Sequence, residues 1–245
     1  MHDFLLVGIA PAAFVSTAAG GLLAVQFSDR LHFVMAFSAG AIISVAFFDL
    51  LPEALELGVP ALGSHAITGA TALGFFSYVV IDRLILIYGP HLARGATMAA
   101  PRLRGAMAAG YLSTHSFLDG LAIGLAFQAS EAVGAVVTIA IIGHDCSDGM
   151  NTVNLILKNQ GSRKTALRWL LADASMPALG IAASQFIELS PDALSLVLAL
   201  FAGFFLYIGA SDLLPESHHA HPRVLTTVAT LIGATALFLV IHVAE

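Results

Sequence analysis

The sequence has few charged residues and only one cysteine, Cys146, among its 245 residues. Charged side chains make up 11% of the chain, compared with about a quarter in a typical soluble domain. Because a soluble domain of this length needs a polar surface, this composition excludes most water-soluble enzymes and disordered proteins. A single cysteine also excludes an internal disulfide bond and a cysteine-rich zinc module. The net charge of −6 gives no indication of nucleic-acid binding.

Long apolar segments take the place of the missing charge, since 58% of the residues are hydrophobic. A membrane-spanning helix needs about 20 mainly apolar residues, and we identify eight segments of that kind. They leave no room for a separate soluble domain, so we expect a single transmembrane domain of residues 1–245 with an all-α fold in the lipid bilayer. The eight predicted spans are residues 4–27, 33–57, 65–88, 105–128, 132–157, 165–187, 193–214 and 224–243.

The ten lysine and arginine residues all lie on one side of this eight-span arrangement. They occur between spans 1 and 2, at or after the end of span 3, between spans 5 and 6, and between spans 7 and 8. The opposite loops contain only acidic residues, such as Glu131 and Asp192. The positive-inside rule therefore predicts that the basic side is cytoplasmic and that both termini lie on the non-cytoplasmic side of the cell membrane.

Two predicted spans carry ionisable residues near their centres, where an unpaired charge costs several kcal/mol. Span 4 contains His115 and Asp119, span 5 contains His144 and Asp148, and a glycine follows each aspartate. Residues four positions apart lie on one face of a helix, so each pair presents an imidazole and a carboxylate in the same direction. Two such helices offer two nitrogen and two oxygen ligands, which suit zinc first and iron(II), manganese, cobalt or cadmium behind it.

A lone buried His–Asp pair is often only a hydrogen-bonded pair, but two matching pairs on adjacent helices favour a metal site.

Other polar residues of span 5 have two interpretations each. Asp145 is a candidate ligand of a second ion, or a residue that orients the ligands of the first. Asn151 continues the polar face of the span, where it either lines the ion path or forms hydrogen bonds between helices.

A repeated string, Asp-Leu-Leu-Pro-Glu, occurs at residues 49–53 and 212–216. The first copy lies in span 2 and the second in span 7, which run in opposite directions, as do spans 4 and 5. This arrangement indicates an inverted repeat in which helices 1–3 match helices 6–8 and helix 4 matches helix 5. Pro52 and Pro215 are expected to kink or end their helices. Four carboxylates would attract cations at the two mouths of the pathway: Asp49, Glu53, Asp212 and Glu216.

Three histidines follow span 7 within four residues: His218, His219 and His221. Such a cluster can hold a metal ion weakly, and the predicted topology places it on the cytoplasmic side. It is therefore either a cytoplasmic metal relay or a solvated loop without a role.

These features resemble the ZIP (Zrt/Irt-like) family of divalent metal transporters along the whole chain. That family carries His-Asn-x-Pro-Glu-Gly on helix four and His-x-x-Pro-Glu-Gly on helix five. The corresponding residues here are 115–120 and 144–149, in which both prolines are absent and both glutamates are shortened to aspartate. Residues 49–54 match the helix-two pattern closely.

The resemblance implies a primary site formed by His115, Asp119 and Asp148, with His144 nearby. Ser116 occupies the position of an asparagine that contacts a second metal in binuclear members of the family. Met176, which precedes Pro177, occupies the position of a helix-six glutamate found in many relatives. We therefore expect a degraded second site, with Asp145 as its main remaining ligand, and one tightly bound ion. The resemblance also implies a homodimer.

The expected function is zinc uptake into the cytoplasm by alternating access, with the ion as substrate and no organic cofactor. No nucleotide-binding loop is present in the sequence, so the ion gradient or the membrane potential would drive transport. One alternative is a cation-efflux carrier, which typically has six spans and a cytoplasmic metal-binding domain. A membrane-embedded metalloenzyme is a second alternative, disfavoured because no His-Glu-x-x-His motif occurs. A passive channel is a third.

Overall fold

The computed structural model describes residues 2–26, 31–92, 100–219 and 224–244, and this part of the chain is helical without strands. The all-α prediction is thus confirmed. The segments are α1 (His2–Gln26), α2 (Leu31–Val45), π1 (Ala46–Leu50), α3 (Leu51–Leu62), α4 (Ser64–Leu92), α5 (Ala100–Ala129), α6 (Glu131–Lys158), α7 (Arg163–Ser184), α8 (Pro191–Tyr207), π2 (Ile208–Leu213), α9 (Leu214–His219) and α10 (Val224–Ala244).

The helices form eight continuous stretches at the positions of the eight predicted spans, because π1 joins α2 to α3 and π2 joins α8 to α9. Within the described ranges, four helical segments are long and apolar enough to cross a membrane. Several helices extend beyond the predicted spans, since helical hydrogen bonds continue into their polar flanks. The four segments that are long and apolar enough to cross a membrane are Met35–Leu62, Ser64–Ile81, Pro191–Ser211 and Val224–Val243.

Serine residues begin three of the helices that follow short connections. The hydroxyl oxygen of Ser130 accepts a hydrogen bond from the amide of Val133 at 3.1 Å, which caps the start of α6. Ser162 caps α7 and Ser190 caps α8 in the same way. A serine cap satisfies an amide that has no partner inside the helix. The connections around the central helices are therefore short and well defined.

Both π-helical segments lie directly before the prolines of the repeated string. Pro52 and Pro215 lack an amide hydrogen, and their rings would clash with the carbonyl groups four residues earlier, those of Phe48 and Ser211. A π-helical turn relieves this clash by widening the helix locally. The helix continues past each proline instead of ending there, as α3 and α9 show.

Four pairs of helices pack in parallel with their backbones almost in contact: α1 with α6, α5 with α7, α2 with α10, and α4 with α8. In the first pair, Ser16 donates a hydrogen bond to the carbonyl of Ile142, and Gly20 lies against the carbonyl of Cys146. The constant difference in residue number between these contacts shows that the helices are parallel. Each pair contains one glycine from each helix, so that neither backbone is held away by a side chain.

The pairs assemble into two groups of helices. Bundle A consists of α1, α5, α6 and α7, whereas bundle B consists of α2, α3, α4, α8, α9, α10 and the two π segments. Helices within each bundle pack extensively, and the bundles meet mainly where α2 lies against α6 and where α8 and α4 lie against α5. This boundary between the bundles lies beside the polar centre of the protein.

We predict that Gly74→Ala lowers the midpoint of thermal unfolding, because a methyl group at residue 74 would collide with the backbone of Leu200 in α8. Overpacking of this kind costs about 1–3 kcal/mol, which corresponds to a decrease of roughly 2–10 °C for a chain of this size. The measurement is thermal unfolding of the purified protein in detergent. Gly69→Ala is the matched control on the same helix, since that position faces open space. Equal midpoints for the two variants would contradict the close α4–α8 contact.

Candidate metal centre

Helices α5 and α6 of bundle A run antiparallel and cross at their centres. Gly105 near the start of α5 lies against Leu155 of α6, and Gly134 near the start of α6 lies against Phe127 of α5. This arrangement brings the two His-x-x-x-Asp pairs together near the middle of both helices. Four ligand atoms lie within 4.8 Å of one another, one each from His115, Asp119, His144 and Asp148; we call these residues the ligand cluster.

The spacing of the ligand cluster matches a small cation. Asp119 Oδ2 lies 3.2 Å from the Nε2 atoms of both His115 and His144. Asp148 Oδ2 lies 3.3 Å from His144 Nε2 and 3.6 Å from His115 Nε2. Atoms bound to zinc at about 2.0–2.2 Å in a tetrahedron are separated from one another by about 3.3–3.6 Å. The four nitrogen–oxygen distances therefore fit the separation between neighbouring ligands of a small cation such as zinc.

The ligand cluster is shielded from solvent, with residue exposures of 5%, 2%, 1% and 3% for His115, Asp119, His144 and Asp148. Two carboxylates so close together in an apolar bundle need a compensating positive charge. Protonated histidines or a divalent cation are the two ways to supply that charge. The cluster therefore has both the geometry and the charge of a cation-binding site.

The second nitrogen of His144 orients its imidazole. His144 Nδ1 lies 3.2 Å from the carbonyl oxygen of Ala140. A carbonyl oxygen only accepts hydrogen bonds, so Nδ1 carries the proton in the neutral ring. The lone pair of Nε2 then faces the carboxylates, as a metal ligand requires.

Asp145 lies beside the ligand cluster but outside it. Its side chain is fully buried, and neither carboxylate oxygen has a hydrogen-bond partner within the described part of the chain. A role as a ligand of a second ion, or as an orienting residue, remains a prediction.

A further aspartate, Asp173 of α7, was not identified from the sequence. It is fully buried and accepts hydrogen bonds from Ser116 at 2.9 Å and from Thr152 at 2.8 Å. It lies one turn before Pro177. The resemblance to the ZIP family had pointed instead to Met176, at the position of the helix-six glutamate. The available signal was an isolated acidic residue in the middle of an apolar span, which by itself marks a functional candidate.

Ser116 contacts this aspartate and is not part of the ligand cluster. Its hydroxyl group donates to Asp173 and to the carbonyl of Leu112 at 3.1 Å. The hydroxyl hydrogen is thus shared between two oxygen atoms. The contact of Ser116 with a metal ion stays a prediction.

Asp49, Glu53 and Asn151, which were predicted to line the pathway, are not members of the ligand cluster. Asp49 in π1 is buried, and Glu53 and Asn151 are partly exposed. The remaining predicted positions fall outside the described part of the structure, in their side chains or entirely: Asp212, Glu216, His218, His219 and His221.

The chain is similar in sequence to proteins named as zinc transporters. The family model "ZIP Zinc transporter" matches residues 90–241. A zinc transporter ZupT from Corynebacterium efficiens is 30% identical over 253 residues, covering 93% of this chain and 92% of that protein. The ZupT of Corynebacterium glutamicum is 27% identical over 230 residues, covering 86% and 88%. The zinc transporter ZIP10 of Danio rerio is 33% identical over 106 residues, covering 43% of this chain and 12% of that protein.

We predict that zinc stabilises the purified protein through the ligand cluster. A ligand at about 100 times its Kd adds about 2.7 kcal/mol to the free energy of unfolding. For a chain of this size the midpoint of thermal unfolding should therefore rise by roughly 5–10 °C. The measurement is thermal unfolding with and without zinc. His115→Ala and Asp148→Asn should abolish the rise, whereas the exposed controls His65→Ala and Asp192→Asn should retain it. An equal rise in all variants would place the zinc elsewhere.

Proposed function

Because this chain belongs to the ZIP zinc transporter family, we propose that it transports a divalent transition-metal cation, with zinc as the first candidate, across the cell membrane. The proposal depends on one observation above all, the buried group of two imidazoles and two carboxylates at the crossing of α5 and α6. The names of the relatives support zinc as the substrate. Iron(II), manganese, cobalt and cadmium accept the same ligands.

The donor set favours transition metals over the common hard cations. Calcium takes six to eight oxygen ligands and magnesium keeps most of its water, so neither suits two imidazoles at short distance. Zinc accepts nitrogen and oxygen ligands in tetrahedral geometry without a preference imposed by its d-electrons. An arriving zinc ion would exchange its water for His115, Asp119, His144 and Asp148.

We propose that each chain binds one ion tightly. Within the described part of the chain, the ligand cluster is the group of histidine and acidic side chains spaced to hold a metal ion. Asp173 is engaged by two hydroxyl groups, which leaves Asp145 as the main candidate for contact with a second ion. A second ion would therefore bind more weakly than the first.

We further propose an eight-span topology with an inverted repeat and both termini on the non-cytoplasmic side. Corresponding glycines support the repeat, since Gly40 lies nine residues before Asp49 and Gly203 lies nine residues before Asp212. Both glycines contact the backbone of a parallel neighbouring helix: Gly40 contacts α10, and Gly203 contacts α4. The two π segments occur at matching places as well.

The proposed mechanism is alternating access. All four members of the ligand cluster belong to bundle A, whereas Asp49 and the π segments belong to bundle B. A zinc ion approaches past Asp49 and Glu53, whose negative charge attracts it, and then binds at the cluster. Relative movement of the bundles opens the cluster toward the cytoplasm. The concentration gradient of the ion, or the membrane potential, supplies the driving force for uptake.

Uptake into proteoliposomes tests the proposed function. We predict saturable zinc uptake by the wild type and at least a tenfold lower rate for His115→Ala and Asp148→Asn, since even residues that only orient ligands contribute roughly 10–100-fold to affinity. His65→Ala and Asp192→Asn serve as controls of equal chemistry outside the cluster. Equal uptake by all variants would refute the site. Net export under an inward gradient would indicate efflux, and flux without saturation would indicate a channel.

A calorimetric titration tests the stoichiometry. We predict one tight equivalent of zinc per chain, because the ligand cluster holds one ion at its centre. Asp145→Asn should leave that equivalent in place, whereas Asp119→Asn should remove it. Two tight equivalents in the wild type would contradict the one-ion proposal.

A further inference from the structure

An aromatic side chain from bundle B packs directly against the ligand cluster. Tyr78 of α4 is 5% exposed, and its ring lies edge-on to His115 with the ring centroids 6.1 Å apart. Two further tyrosines surround Tyr78, with centroids at 5.7 Å for Tyr111 and 5.2 Å for Tyr207. Tyr78, Tyr111 and Tyr207 form a group that we call the tyrosine layer.

The tyrosine layer lies on one side of the ligand cluster. Tyr111 precedes His115 by one turn of α5, toward the end of the helix that carries Arg102. Arg102 donates a hydrogen bond to the carbonyl of Gln160, which joins this end of α5 to the end of α6 and the start of α7. Lys158 and Arg163 lie at the same end. The layer therefore separates the cluster from the basic end of the bundle.

Partly exposed polar residues begin at the level of the layer and continue toward the basic end of the bundle. Asn151 follows Asp148 by one turn of α6, toward the basic end, and Asn154 follows by another turn. Both are partly exposed. Because α5 and α6 are antiparallel and His115 faces Asp148, Asn151 lies at about the level of Tyr111. The layer therefore lies between the ligand cluster and the partly exposed Asn154.

The opposite side of the cluster is closed by apolar side chains. Ile123 and Ile141 lie one turn beyond the ligands, and both are fully buried. Ala126 and Val137 lie one turn further and are also fully buried. An ion leaving in that direction would have to pass at least two successive apolar turns.

The layer also spans the boundary between the bundles. Tyr78 and Tyr207 belong to bundle B, whereas Tyr111 and His115 belong to bundle A. The rings of Tyr78 and Tyr111 meet edge-on across this boundary, with their centroids 5.7 Å apart. Relative movement of the bundles would therefore separate the rings. Tyrosine suits such a contact, because its ring excludes water while its face attracts a passing cation.

We propose that the tyrosine layer closes the metal site toward the basic end of the bundle and that Tyr78 is its central residue. This inference rests on the proposed function, since it assumes that a metal ion occupies the ligand cluster. A barrier affects binding and release equally, so it changes both rates and leaves the equilibrium affinity unaltered. A residue that only positioned His115 would instead change the affinity.

Metal release from the purified full-length protein distinguishes these roles. Zinc-loaded protein is mixed rapidly with excess chelator, and release is followed with a zinc-sensitive dye; binding rates and the Kd are measured in parallel. We expect Tyr78→Ala to release and bind zinc at least roughly tenfold faster, because it removes ring contacts that hold the layer closed, with a Kd within about twofold of the wild type. Tyr78→Phe keeps the ring and should release zinc more slowly than Tyr78→Ala.

Phe76→Ala is the matched control, because it truncates an aromatic ring two residues away that is 62% exposed and faces away from the cluster. It should release zinc at the wild-type rate. If Tyr78→Ala does not fold, Tyr207→Ala removes another ring of the layer and is evaluated by the same criteria. Unchanged rates, or a weaker Kd without faster binding, would overturn the proposal. Failure of the wild type to bind zinc would instead refute the proposed function and remove the basis for a barrier.

Discussion

The structure depends on one electrostatic constraint: two carboxylates lie within a few ångströms of each other inside an apolar helical bundle. Asp119 and Asp148 are shielded from solvent, and both face the imidazoles of His115 and His144. Such a group is stable only when a positive charge compensates it. A divalent cation satisfies both carboxylates and both imidazoles at once, whereas protons satisfy them one at a time. We propose that the need for this charge gives the ligand cluster its affinity for metal ions.

Close helix packing gives the protein two compact bundles, which the proposed transport mechanism requires. Glycines let four pairs of parallel helices approach backbone to backbone, so each bundle is a compact body. The ligand cluster belongs to one body, and the tyrosine layer is shared between the two. In the proposed mechanism, small relative movements of the bundles change access to the ion without dismantling its ligands. The π segments before Pro52 and Pro215 let the helices of bundle B continue past these prolines.

The ligand cluster could be predicted from the sequence because its spacing is a property of single helices. His-x-x-x-Asp places both side chains on one face of a helix, and the motif occurs twice. Asp173 and Tyr78 were missed for a different reason, since each acts through a neighbour on another helix, and no spacing along the chain indicates which helices will be neighbours. The prolines of the repeated string were expected to kink or end their helices, whereas in the structure the helices widen into π turns and continue.

X-ray absorption at the zinc edge of the metal-loaded protein tests the central claim most directly, because it reports the atoms bound to the ion. Two imidazole nitrogens and two carboxylate oxygens predict four light ligands at about 2.0–2.2 Å, with the multiple-scattering signal of histidine rings. A sulfur ligand at about 2.3 Å would instead indicate binding at Cys146. Six oxygen ligands without histidine would likewise contradict an ion held at the crossing of α5 and α6.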